Sequence, residues 1–166
     1  NQEYMNSENF EQKPLFKNKN IELLGKASVV KLGKDTLGFQ LNSRDGGSGG
    51  EKGDISWVYL VDNKNNNLVL GPFQGKVACT RIPFNKGVCG HCYTTAQTTY
   101  VEDVHKFPGH IACDSATNSE LVIPIIQDSK VVALLDIDSI KFDRFTNDEV
   151  NAFSDVTKSI FNKIIF

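Results

Sequence analysis

A chain of 166 residues with 40% apolar content is long enough to bury one core of ordinary size, and the length favours a single domain. A formal net charge of −2 and a pI of about 5.9 leave no electrostatic footprint for a nucleic-acid backbone or an anionic membrane, so a small or neutral partner is expected, with no nucleic acid and no membrane. No apolar run approaches the roughly 18 residues of a membrane span, "NQEYMNSENFEQK" lacks a signal-peptide core, and four cysteines are too few for a disulfide-stapled mini-protein; the expectation is a cytoplasmic chain whose thiols are structural, metal-binding or redox-active.

Residues 1–19 are rich in Asn, Gln, Glu and Lys with few apolar anchors and read as a loosely held extension, leaving 20–166 as the domain. Ile21 to Leu32 carries apolar residues at Ile21, Leu24, Ala27 or Val29, and Val30, a helical pattern weakened by Gly25. The glycine-rich stretch "RDGGSGGEKGD", Arg44 to Asp54, runs into a strand and lacks a Lys-Ser or Lys-Thr, so it reads as a flexible loop and not as a phosphate cradle.

From Ile55 the pattern has period two: "ISWVYLVD", an Asn-rich turn over Asn63 to Asn67, then "LVLG", a hairpin signature. "VACTRIPF" reads as a third strand stopped by Pro83, and Gly87 to Gln97 as a short helix. "ELVIPII" and "VVALLDIDS" form a second hairpin across Gln127 to Lys130, after a long irregular segment from Glu102 to Asn118 of the kind that commonly carries function. Thr146-Asn-Asp-Glu149 is a capping box opening a C-terminal helix with Val150, Phe153, Val156 or Thr157, Ile160, Phe161 and Ile164 on one face. Helices at both ends of the domain thus pack on a mostly antiparallel central sheet, an α+β arrangement.

The cysteines allow three readings. Cys89-Gly-His-Cys92 spells a disulfide-isomerase tetrapeptide, but the thioredoxin-like βαβ context is missing, and each thiol can equally be a small buried hydrophobe. Zinc would need Cys89 and Cys92 as a knuckle with two ligands from Cys79, Cys113, His91, His105 or His110, and no second closely spaced pair exists; no metal is expected. The third reading pairs cysteines across the fold. Cys113 has His105, Lys106 and His110 close in sequence, a cationic neighbourhood of the kind a reactive thiolate wants.

In "VVALLDIDSI" the alternation puts Leu134, Asp136 and Asp138 on one strand face and Leu135 and Ile137 on the other. Glu120 opens the paired strand and can lie across from the two aspartates. Carboxylates gathered on a covered face imply a cation between them; at a frayed strand end in water they imply nothing. Trp57 and Tyr59 share a face of the first hairpin and can wall a pocket or simply fill the core.

With "LVLGPFQGKVACTRIPFNKGVCG", "VEDVHKFPGHIACDSATNSELVIPI" and "LLDIDS" in order, the chain from about Ile55 onward resembles the GAF-domain free methionine-(R)-sulfoxide reductases. The resemblance implies a GAF domain that reduces the R epimer of free methionine sulfoxide, without a cofactor, and recycles an intramolecular disulfide through thioredoxin. It further implies that Cys113 is the nucleophile, Cys79 the resolving thiol and Cys89 the family's third cysteine. Glu120, Asp136 and Asp138 would hold the ammonium and assist at the sulfoxide oxygen, and Trp57 would pack on the S-methyl group. The family usually has Trp-x-Gly-Phe-Tyr where this chain has Trp57-Val58-Tyr59, an even deletion that keeps both aromatics on one face and lets Tyr59 stand for the usual Tyr. A homodimer is the assembly that the resemblance allows. A GAF sensor that binds a small molecule without transforming it is the alternative.

Overall fold

The computed structural model describes residues 27–31, 37–41, 54–74 and 76–161. Strands β1 (Ala27–Lys31) and β2 (Leu37–Leu41) pair antiparallel with each other as a separate two-stranded ribbon. This corrects the helical expectation for Ile21 to Leu32 over its last part. Ala27–Lys31 is a five-residue strand, and "SVV" supplies the β-branched residues that favour a pleated surface over a helix. Residues 1–26, and with them the expected extension and the start of that helix, lie outside the described residues.

The main sheet has six strands in the order β5-β4-β3-β8-β7-β6, each neighbour antiparallel. They are β3 (Ile55–Asp62), β4 (Asn67–Gln74), β5 (Arg81–Pro83), β6 (Thr99–Val101), β7 (Ser119–Gln127) and β8 (Lys130–Ser139). The β7–β8 turn places Asp128 and Ser129 at φ 48° and 61°, the two left-handed residues of a tight hairpin turn whose twist suits its strands. Pro124 sits inside β7 beyond the stretch Glu120 to Val122 that pairs with β6, where the ladder on that side has ended. The expected strand over "VACTRIPF" shrinks to Arg81–Pro83. Cys79 therefore lies in an irregular approach to the strand, anchored where Leu70 N–H donates to the Thr80 carbonyl at 3.0 Å.

Period-two alternation divides the buried residues into two layers. Val58 of β3, Leu121, Ile123 and Ile125 of β7, and Ala133, Leu135 and Ile137 of β8 face helix α2 (Asn147–Phe161), where Phe145, Ala152, Phe153 and Phe161 complete an apolar core. The capping box forms as the sequence predicts, with Glu149 Oε2 accepting from Thr146 N–H at 2.9 Å and Thr146 Oγ1 accepting from Glu149 N–H at 3.3 Å. On the opposite face Trp57, Tyr59, Val122 and Leu134 pack against helix α1 (Gly87–Thr95) through Val88, Cys89 and Cys92. The segment 102–118, irregular but for a single 3-10 turn at Val104–Lys106, lies between β6 and β7 in the chain, and its Phe107, Ile111 and Cys113 pack on this second layer. No helix among the described residues is long and apolar enough to cross a membrane.

Candidate active site

Sheet register assembles the site. Across β3, β8 and β7, Trp57 is opposite Asp136 and Asp136 opposite Val122; one row along, Ile55, Asp138 and Glu120 line up. The parity that sends Leu135 and Ile137 into the α2 core therefore turns Glu120, Asp136 and Asp138 together onto the α1 face. All three are buried, at 6%, 5% and 6% exposure, which removes the frayed-end alternative for the aspartates.

Three buried carboxyl groups this close cannot all be ionised in water-poor surroundings. Burial, then the charges of Asp136 and Asp138, pushes the Glu120 carboxyl well above the ordinary range, and its hydrogen bond with Asp136 favours the protonated form of Glu120. Asp136 is lifted by burial to about 7, against the hydrogen bonds from Cys89 and Glu120 that favour its ionised form. Asp138 is raised by burial and by Asp136, while Thr117 Oγ1 donates to its Oδ2 at 2.5 Å. Of the pair, Glu120 is the group whose proton is favoured by their hydrogen bond, and Asp136 the one whose ionised form is favoured. Among the described residues, Asp136 Oδ1 and Asp138 Oδ1 are buried without a hydrogen-bond partner, so two carboxyl oxygens stand ready for a bound group.

A small cavity of about 10 Å³ lies against these groups, lined by Cys89, Cys113, Glu120, Asp136 and Asp138 with Ile82, Gly87, Val88 and Ile111. Its volume suits one water or one ion. Cys113, half-buried at its edge, is joined to Cys79 by a disulfide, with 5.0 Å between the Cα atoms. The two cysteines come together because the aromatics of β3 hold the loop that carries Cys79. Trp57 Nε1 donates to the Lys76 carbonyl at 2.9 Å, and Tyr59 Oη donates to the Cys79 carbonyl at 3.0 Å. Trp57 and Tyr59 are buried posts beneath that loop and are not among the residues lining the cavity.

The other two thiols are free and buried. Cys89 Sγ donates to Asp136 Oδ2 at 3.2 Å, and burial followed by the charges of Asp136 and Glu120 pushes its pKa well up. Cys92 Sγ donates to the Val122 carbonyl at 3.6 Å, and burial, then Asp136, pushes it up to about 12. Neither is ionised near neutrality, so the isomerase tetrapeptide is spelling without the chemistry. The zinc knuckle fails too, since Cys92 is turned to a backbone carbonyl and Cys79 and Cys113 are bonded to each other.

The expected cationic surroundings of Cys113 are only partly present. His105 Nδ1 and Lys106 Nζ are engaged by Asp103 at 2.9 and 3.0 Å. His110 turns to Glu120, its Nε2 3.7 Å from Oε2, and burial holds its pKa below the ordinary value. Thr117, the hydroxyl on Asp138, escapes sequence reasoning because its segment has no periodicity to place it; its only signal is its position two residues before β7.

The family profile described as GAF domain matches residues 50–160. Free methionine-R-sulfoxide reductase of Escherichia coli (strain K12) is 50% identical over 96 residues, 58% of this chain and 58% of that protein. The protein of the same name from Saccharomyces cerevisiae is 44% identical over 117 residues, 68% of this chain and 65% of its own length. Both matches thus leave more than a third of the relative's length uncovered. Among solved structures, the free methionine-R-sulfoxide reductase of Neisseria meningitidis in complex with its substrate superposes with a TM-score of 0.62 at 39% identity, covering 65% of this chain and 66% of that one. With its profile match spanning most of the sequence, its six-stranded antiparallel sheet and the helices packed on both of its faces, the chain belongs to the GAF domain family and, within it, is similar to the free methionine-R-sulfoxide reductases.

Proposed function

We propose that this chain reduces free methionine-(R)-sulfoxide to methionine with its own thiols. The observation that carries the proposal is the Cys79–Cys113 disulfide at the edge of a cavity floored by Glu120, Asp136 and Asp138. In the reduced protein the Cys113 thiolate attacks the sulfoxide sulfur and Glu120 protonates the oxygen. The protonated oxygen passes from the substrate sulfur to Cys113 as the bond between the two sulfurs breaks, so methionine leaves with its sulfur reduced by two electrons and Cys113 is oxidised by two electrons to the sulfenic acid. The Cys79 thiol then attacks that sulfur, water departs, and the disulfide forms. An external dithiol, thioredoxin in this proposal, takes the disulfide back to two thiols.

The unpartnered oxygens of Asp136 and Asp138 suit the substrate ammonium, and that demand selects the free amino acid over a residue inside a chain. Cys89 is assigned no redox turn, because its buried thiol is engaged by Asp136. The cavity of the disulfide form is far too small for methionine sulfoxide, so the proposal requires that opening the disulfide frees the Cys113 loop to admit it. No metal or organic cofactor enters these steps.

Incubation with racemic free methionine sulfoxide and a dithiol is the test. Release of methionine that stops with half of the sulfoxide, the S epimer, left is the expected result. Binding without loss of sulfoxide would describe a GAF sensor instead and overturn the enzyme.

A further inference from the structure

We propose that, in its disulfide form, this chain holds a divalent cation of the zinc class on Cys89 Sγ, Glu120 and Asp136, three donors brought from α1, β7 and β8. One ligand atom from each lies within 4.8 Å of the other two, and all three residues are buried. Four-coordinate zinc with bonds of about 2.0–2.3 Å spaces its ligands roughly 3.3–3.8 Å apart, so side-chain shifts of about 1 Å close the set. The cavity beside them, about 10 Å³, has the size of a single ion.

An independent observation also points to a cation: Asp136 Oδ1 and Asp138 Oδ1 are buried with no hydrogen-bond partner among the described residues. A thiol among the donors discriminates against magnesium and calcium, which take oxygen alone, and favours zinc or cobalt. His110, with Nε2 3.7 Å from Glu120, or a water completes four ligands. Binding is an exchange of protons for metal. The Cys89 thiol proton and the proton shared by Glu120 and Asp136 leave to solvent as the metal–ligand bonds form, and nothing is oxidised or reduced. The disulfide matters to the proposal because it removes Cys79 and Cys113 as competing ligands, and the Cys92 thiol is committed to the Val122 carbonyl.

The test is a Co²⁺ titration of the full chain without reductant and without sulfoxide. The wild type and Cys92→Ser should both develop a thiolate-to-cobalt charge-transfer band that saturates at one ion per chain and is erased by Zn²⁺, and Cys89→Ser should show none. Absence of the band in the wild type, or the same band in Cys89→Ser, would overturn the site and leave an adventitious ion only. Should Cys89→Ser fail to fold, Asp136→Asn reads the same question. It should weaken cobalt binding at least tenfold, and unchanged affinity would count against the site. The site shares its carboxyl groups with the proposed reductase but is measured apart from it: a chain that binds cobalt and reduces nothing would overturn the reductase alone.

Discussion

Asp136 sets the pH response of the folded chain. Its carboxyl moves from an ordinary 3.8 to about 7 on folding, with burial as the main cause, so between those values the native state holds more protons than the unfolded one. The contribution of such a group is whole below 3.8 and is lost as pH rises through 7. Glu120 and Asp138, also raised chiefly by burial, act with the same sign. Glu149, held below 4.5 by its bonds to Thr146 and Arg144 against the effect of burial, has the opposite sign and acts only in acid. The disulfide form should therefore melt at steadily lower temperature from pH 5 to pH 8, and Asp136→Asn should flatten that slope. Parallel melting curves for the two proteins would show that Asp136 is ionised in both states.

The elements explain how much the sequence discloses. The alternation in β8 is enough to place Asp136 and Asp138 on one face and Ile137 on the other, because a half-buried strand admits a single parity. The capping box announces α2 through two side chains that satisfy each other, and Thr146→Ala should cost about 1 kcal/mol in chemical denaturation while leaving the α1 face untouched. The three residues of β6 and the hydroxyl of Thr117 could not be read, since short or irregular segments owe their places to tertiary partners. Residues 27–31 misled for a related reason: in so short a window, apolar positions spaced for a helix also fit a strand. Helix α1 adds a constraint that no pattern advertises. A Cβ on Gly90 would stand 2.9 Å from the Phe84 carbonyl oxygen, a backbone atom that cannot turn aside. Gly90→Ala should cost about 1–3 kcal/mol and disturb Cys89 beside it, and unchanged stability would mean that the helix can shift as a body.

Across the whole molecule, one sheet separates two kinds of interior. The α2 face is built on a hydrocarbon cluster and stabilises; the α1 face carries three buried carboxyl groups that stability alone would exclude, Glu120, Asp136 and Asp138, beside the Cys89 thiol. Retaining buried acids beside a disulfide is intelligible if the acids handle a proton and an ammonium while the sulfur pair handles electrons. The most direct test uses Cys79→Ser, which removes the thiol that would resolve Cys113. One equivalent of free methionine-(R)-sulfoxide, with dimedone present and no dithiol, should release one methionine per chain and leave a sulfenic-acid adduct on Cys113, while the S epimer should do neither. An adduct on Cys89, or methionine released with Cys113 unmodified, would contradict the account.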